Sequence, residues 1–284
     1  MNYVSKYPGS LGEIFQGKMK DRDLLLSFPC DIYTEVTLKE EKRKDLDNNN
    51  NNKCYEFLKA ALKIWGYERF YEDFIIDIKS DIPRGKGFAS STADICALYN
   101  SLLKCFNKSF SEEELIELAV SIEPTDSIIF EKATLFQYKD GKFSLELGNY
   151  MEFYVMVYEG KRLINTIDFN KTSIGDLAKL DYLEKDLMEA FNKKSIRKLA
   201  KVSTDSIVLN EGRLHYSILN DVIKICEDTK GLGIIGGHSG DILGIIYEDE
   251  EGLKKGLDLN IKIKDYRCYG IKTLDSIDRY RKKG

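Results

Sequence analysis

Three consecutive hydroxyl side chains, Ser90, Ser91 and Thr92, follow closely on the run Arg84-Gly85-Lys86-Gly87. These are groups that hold phosphate: hydroxyls and a cation at Lys86, with Gly85 and Gly87 letting the backbone approach without a Cβ in the way. Hydroxyl oxygens also suit Mg²⁺, which takes hard oxygen donors. A helix beginning here would add amides without intrahelical partners and the positive end of its aligned peptide dipoles, where anions bind readily. Further along, Glu123 and Asp126 flank Pro124-Thr125 and set two carboxylates three residues apart. Such a pair can bind Mg²⁺ or accept a hydroxyl proton. The chemistry these two groups suggest is phosphoryl transfer to a small molecule.

The flanking residues supply the elements to position them. Phe74, Ile76 and Ile78 alternate through Phe74–Lys79, the period of a half-buried strand, and Ile95, Leu98, Leu102 and Phe106 recur at helical spacing. The glycine run therefore joins a strand to a helix N-terminus. On local physics alone it also reads as a plain βα turn with Ser90 or Ser91 capping the helix. It is not a Walker A loop, because Gly87 follows Lys86 where Ser or Thr is required. Ser111-Glu112-Glu113-Glu114 reads as a capping box that opens a helix through Leu115, Leu118 and Ile122, which Pro124 stops. Asp126, following Pro-Thr, is equally placed to cap the next turn. A strand-turn-strand follows around Asp140-Gly141.

Elsewhere, Tyr7 to Gly17 is dense in turn formers and predicts a loop beside a strand, and residues 24–38 predict strand segments broken at Pro29. Asn48 to Asn52 predicts a flexible surface loop. Phe57, Leu58, Ala61, Leu62 and Trp65 form a helical stripe. The strand Phe153 to Tyr158 opens what we take as a second domain, giving a division into 1–150 and 151–284. Helices are expected at about 174–191, 195–209 and 216–227, a strand pair within 261–274, and a solvated basic tail at 279–283. Gly231, Gly233 and Gly236 satisfy G-x-G-x-x-G, but a helix precedes and a strand, Ile242 to Tyr247, follows, so the dinucleotide fold is excluded. A glycine-rich hairpin that brings backbone amides to a ligand is the better reading.

The chain of 284 residues, 43% apolar and 32% charged with net charge -4, has the composition of a soluble globular protein without the basic field of a nucleic-acid binder. Six cysteines without a C-x-x-C pair read as reduced, buried thiols. Two histidines exclude a His-rich metal site, and Gly237-His238-Ser239-Gly240 lacks the spacing of a hydrolase nucleophile elbow. No apolar run reaches membrane-spanning length, and the first residues lack a signal-peptide core, so a cytoplasmic protein is expected.

Pro83 to Ala93 resembles the second signature of the GHMP kinase superfamily (galactokinase, homoserine kinase, mevalonate kinase and relatives), P-x-x-x-G-L-G-S-S-A-A. Pro83, Gly87, Ser90, Ser91 and Ala93 keep the pattern; Phe88, Ala89 and Thr92 depart from it. With those departures the stretch is similar to K-G-x-A-S-S-T-A-D of one branch, the L-threonine kinases of cobalamin biosynthesis. Pro8, Ser10, Gly12, Glu13, Gln16 and Gly17 match that branch's P-x-S-x-G-E-x-x-Q-G, Glu123 to Asp126 its E-P-T-D, and His238-Ser239-Gly240 its H-S-G within the third superfamily signature.

The resemblance implies an α+β chain with the GHMP kinase fold: a ribosomal S5 domain 2-like N-terminal domain that binds ATP and a ferredoxin-like C-terminal domain. It implies ATP-dependent phosphorylation of L-threonine to O-phospho-L-threonine, precursor of the aminopropanol linker of cobalamin. A GHMP kinase for another small alcohol such as homoserine, and a catalytically silent nucleotide-binding regulator, are the alternatives. The residues it assigns to ATP are Pro83, Gly85, Lys86, Gly87, Ala89, Ser90, Ser91 and Thr92. Ser91 with Glu123 would bind Mg²⁺, and Asp126 would orient or deprotonate the acceptor hydroxyl. Ser10, Gly12, Glu13, Gln16, His238, Ser239 and Gly240 would line the substrate pocket. Ser10 stands where many superfamily members carry a lysine, so that cation's role does not transfer to it.

Overall fold

The computed structural model describes residues 1–43, 52–162, 175–237 and 240–278. The asparagine run up to Asn51, the predicted helix start at 174, the basic tail, and both His238 and Ser239 lie outside these residues.

Three antiparallel sheets carry the fold. In the first, β1 (Asn2–Ser10) pairs with β4 (Pro29–Glu40), which pairs with β5 (Phe74–Ser80). Strand β1 runs on through Pro8 and Gly9, where a loop was expected. It is an edge strand, which tolerates a proline, and its register slips between Pro8 and Ser10. In the second sheet β2 (Phe15–Met19), β3 (Arg22–Leu26), β6 (Ala133–Phe136) and β7 (Ser144–Gly148) lie in that order. The third has the order β11 (Arg267–Lys272), β8 (Tyr154–Glu159), β10 (Ile242–Tyr247) and β9 (Gly233–Gly236). The expected strand pair within 261–274 is one strand, β11, whose partner is β8. Asp265 takes a left-handed turn before it, and the half-buried Ile261 and Ile263 pack against the core instead.

Helix α1 (Asn52–Ile64) and α3 (Glu112–Ile122) flank α2 (Ser90–Cys105), which packs against β1 and β4 on its other side. Enclosed in this way, α2 is buried continuously from Thr92 to Leu103 rather than along one stripe. Ser111 caps α3 by accepting the Glu114 amide at 3.2 Å, but the box does not close. Glu114 instead accepts from Trp65 Nε1 at 2.9 Å and the Tyr99 hydroxyl at 2.7 Å.

Helices α4 (Glu184–Asn192) and α5 (Ile196–Leu209) are followed by one turn, α6 (Glu211–Leu214), and then by α7 (Leu219–Asp228). Helix α5 packs on β9, α7 on β9 and β10, and α8 (Glu250–Asp258) on β8, β10 and β11. One core runs through both halves of the chain. The Phe28 ring meets Tyr150, Phe153 and Phe191 at centroid distances of 5.3, 5.5 and 6.1 Å. All six cysteines are free, four of them buried, with Cys105 half-buried and Cys268 exposed. Among the described residues no helix is long and apolar enough to cross a membrane.

Candidate functional site

A single cleft gathers residues from both chemical sets: Gly85, Gly87, Ala89, Ser90, Ser91 and Thr92 on one side, Glu123 and Asp126 on the other, with Glu13 and Gln16 between. The backbone explains why they converge. The Ser10 amide donates to Phe88 O, the Gly12 amide to Gly87 O, and the Glu13 amide to Gly236 O, each at 3.0 Å. The end of β1, the loop before α2 and the β9–β10 hairpin are thus laced together without side chains.

Glycine is required at this seam. Gly12 sits at φ +58, where an added Cβ would lie 2.4 Å from Gly236 O. A Cβ on Gly240 would lie 2.0 Å from Lys86 O. Gly87, at φ +94, would bring a Cβ to 2.9 Å from Gly237 Cα, so it serves the docking of the hairpin as well as the cleft.

The first turn of α2 is uncapped. Its N-cap, Ala89, is left-handed (φ 51, ψ 34) and makes no side-chain cap, so neither Ser90 nor Ser91 plays the capping part open to them from sequence. Uncapped amides and the helix dipole point into a cleft lined by Ser90 and Ser91, an arrangement that fits phosphate oxygens. Lys86 is turned elsewhere. Its buried ammonium donates to Gly160 O at 2.7 Å and Arg162 O at 2.8 Å, tying the loop to the end of β8. Pro83 is in the same loop and, with Lys86, is not among the cleft-lining residues.

Ser91 Oγ donates to the buried Glu123 carboxylate, whose other oxygen pairs with Lys53 of α1. A hydroxyl and a carboxylate side by side are the donor set Mg²⁺ prefers, the remaining positions falling to phosphate oxygens and water. Among the described residues no group of three or more His, Cys, Asp or Glu forms a metal site unaided.

Asp126 caps the short 3₁₀ turn Ser127–Ile129, its Oδ1 accepting the Ile128 amide at 3.0 Å, while Oδ2 accepts from Ser27 Oγ at 3.0 Å. Its own amide donates to Thr92 Oγ1 at 3.1 Å, so Thr92 fastens α2 to the Asp126 loop. Burial, reinforced by the Glu13 carboxylate, pushes the Asp126 carboxyl up to about 7, against the lowering pull of its two hydrogen bonds. Cap and cleft carboxylate are one residue here.

Gln16 is held by its backbone: its amide donates to Ser206 Oγ at 3.0 Å and its carbonyl accepts from Asn210 Nδ2 at 3.0 Å. Its side-chain oxygen, the Tyr138 hydroxyl and Ser10 Oγ are buried without a hydrogen-bond partner among the described residues. A buried orphan of this kind costs about 1–3 kcal/mol, a debt that a bound ligand would cancel. Ser10 and Gly12 build the seam; Gly240 belongs to the hairpin.

Leu25, Tyr138 and Arg213 also line the cleft, and Lys53 and Ser27 stand behind its carboxylates. None had a signal in sequence. Arg213 lies on a helix of one turn and Tyr138 just beyond β6. Lys53 starts a helix whose apolar stripe explains that helix without it.

Residues 52–131 match the GHMP kinases N terminal domain. Over 251 residues the chain is 26% identical to an L-threonine kinase of Citrobacter freundii, covering 86% of each chain. It is 27% identical to the L-threonine kinase of Salmonella typhimurium, covering 86% of this chain and 83% of that one. Among solved structures, the homoserine kinase of Cytophaga hutchinsonii superposes with a TM-score of 0.71 at 14% identity, over 97% of this chain and 95% of that one. The expected α+β GHMP kinase fold is therefore the fold observed.

Proposed function

We propose that this chain, a GHMP kinase by its N-terminal domain and its fold, transfers the γ-phosphoryl group of ATP to the hydroxyl of free L-threonine, giving ADP and O-phospho-L-threonine. The observation that carries this reading is the meeting of an uncapped helix N-terminus with a carboxyl raised to about 7 in one cleft. The similarity to two proteins named L-threonine kinase over most of the chain supports the choice of acceptor. The product would feed the aminopropanol linker of cobalamin.

In this reading the first-turn amides of α2 and the Ser90 hydroxyl bind the phosphates, with Gly85 and Gly87 admitting them. Ser91 and Glu123 would hold Mg²⁺, which would supply neutralisation of the nucleotide's phosphate charge. Asp126, ionised, accepts the proton of the threonine hydroxyl as that oxygen bonds to the γ-phosphorus and the bond to the β–γ bridging oxygen breaks. Ser27 and the Ile128 amide keep the carboxylate aimed. Residues 1–150 form the nucleotide-binding domain and 151–284 the second, which contributes Arg213 to the cleft and whose β9–β10 hairpin is bonded to the loop before α2 through Gly236 and Glu13.

A coupled ADP-release assay across L-threonine, L-serine and L-homoserine tests the proposal. A pocket fitted to threonine prefers it to serine by about 10–200-fold, the value of one methyl group. Equal turnover of homoserine and threonine would overturn the choice of substrate, and absence of ATP turnover with any acceptor would overturn the kinase.

A further inference from the structure

Gly85 and Gly87 line the cleft, and Lys86 between them does not. Lys86 lines a separate depression with Glu159, Gly160, Tyr266 and Arg267, which shares no residue with the cleft. It is 7% exposed, and an ammonium taken out of water needs acceptors to replace its hydration. Two backbone carbonyls supply them, Gly160 O at 2.7 Å and Arg162 O at 2.8 Å.

The same two residues are held a second time, by their amides, and by a single partner. The Gly160 amide donates to the carbonyl of Asp241 at 2.8 Å, and the Arg162 amide donates to Asp241 Oδ2 at 2.8 Å. Asp241 is itself 7% exposed, and its Oδ1 accepts from the Tyr266 hydroxyl at 3.3 Å and lies 3.7 Å from the Arg162 guanidinium. Gly160 fits only without a side chain, since an added Cβ would lie 2.2 Å from Asp241 Oδ2. The residue before Asp241, Gly240, is pressed against the Lys86 carbonyl. The contacts thus close a ring, from the Lys86 ammonium through Gly160 and Arg162 to Asp241, and back through Gly240 to the Lys86 backbone. A loop with two glycines has little conformational preference of its own, so its shape has to be imposed from outside. The ring does this from behind and leaves the glycines to the cleft.

We infer that Lys86 is a positioning residue that makes no contact with phosphate: together with Asp241 it holds the loop before α2 in the shape that admits the nucleotide. Two residues outside the cleft, one from each half of the chain, thereby set nucleotide affinity. This rests on the kinase reading above and goes beyond it by tying that affinity to the end of β8 and the start of β10.

The experiment measures Kd for Mg·ATP by calorimetry, with kcat and both KM values from ADP release, in the parent, Lys86→Met, Asp241→Ala, Asp241→Asn and the double variant Lys86→Met/Asp241→Ala. Lys86→Met should weaken Mg·ATP by about 10–100-fold, the range for a binding group displaced by about 1 Å. Asp241→Ala should weaken it by about 3–10-fold, the worth of one hydrogen bond, and Asp241→Asn, which restores an acceptor for the Arg162 amide, should recover most of that. KM for Mg·ATP should rise with Kd while KM for L-threonine stays near the parental value; a substitution that merely lowers the folded fraction would reduce apparent kcat and move neither KM. Because both residues act through Gly160 and Arg162, the double variant should bind Mg·ATP within about 2-fold of Lys86→Met alone, whereas independent contributions would multiply. Parental affinity in Asp241→Ala, or multiplied losses in the double variant, would mean that Lys86 works without Asp241 and would overturn this inference alone. Should Lys86→Met not fold, Asp241→Ala and its recovery in Asp241→Asn decide. A parent that binds Mg·ATP but phosphorylates none of L-threonine, L-serine and L-homoserine overturns the proposed function, and the Kd series still judges the inference; a parent that does not bind Mg·ATP overturns both.

Discussion

The amide of Gly12 donates to the carbonyl of Gly87 at 3.0 Å. Between them these residues join the strand that leads to Glu13 and Gln16 to the loop that opens α2. The Glu13–Gln16 end of the cleft and the loop before α2 are therefore parts of one backbone-bonded unit, and the distance between them is set without any side chain that could swing.

Replacing Asp126 by Asn separates its two parts. Asn caps as Asp does, so the 3₁₀ turn should persist. Without a base, kcat should fall by about 10²–10⁴-fold with affinity for Mg·ATP little changed. In the parent, kcat/KM should rise with pH through about 7, the value to which burial and Glu13 lift this carboxyl, and that limb should vanish in the variant. A variant within a few-fold of the parent would leave Asp126 as a cap only.

The same group makes stability depend on pH. Its folded pKa, about 7, lies above its ordinary value of 3.8, so the native state holds the proton more tightly than the unfolded chain between those limits. Its contribution is present below pH 3.8 and is lost as pH rises through 7. Relative to the parent, Asp126→Asn should therefore melt at a higher temperature at pH 8 than at pH 5. A melting difference independent of pH would contradict the raised carboxyl.

Ala89 occupies left-handed space at φ +51 as the N-cap of α2. That conformation costs an L-residue about 1–2 kcal/mol and glycine almost nothing, while glycine loses about 0.5–1 kcal/mol of entropy on folding. Ala89→Gly should stabilise the protein by up to about 1 kcal/mol, seen as a higher melting temperature with nucleotide affinity preserved. A lower melting temperature would mean that the alanine methyl contributes packing that outweighs the strain.

Gly240→Ala would drive a methyl group into the Lys86 carbonyl. The hairpin should lift from the phosphate loop, raising KM for both substrates together and lowering the melting temperature. Activity at the parental level would show that the seam yields without cost.

Much of this cleft was legible in the chain because one of its walls is built of backbone amides and small residues, and small residues are conspicuous in sequence. Gly85, Gly87 and Ser91 could be found that way. Lys86 shows the limit: its type suggested a phosphate contact, but its direction depends on Gly160 and Arg162, which only the fold brings near. Arg213 and Tyr138 reach the cleft through tertiary placement with no local pattern around them. The capping of Asp126 and its place in the cleft looked like rival readings in sequence, yet geometry permits both, since a cap occupies one carboxylate oxygen and leaves the other to Ser27 and the cleft.

Gln16 reaches its partner Ser206 across 190 positions of the chain. During synthesis the loop before α2 and that helix emerge long before α5, so in a nascent chain the Gln16 backbone still lacks its partner. The bond cannot form until α5 has been made, and the hairpin that docks on Gly12 and Gly87 is made later still, so the cleft closes in an order fixed by the chain's own direction.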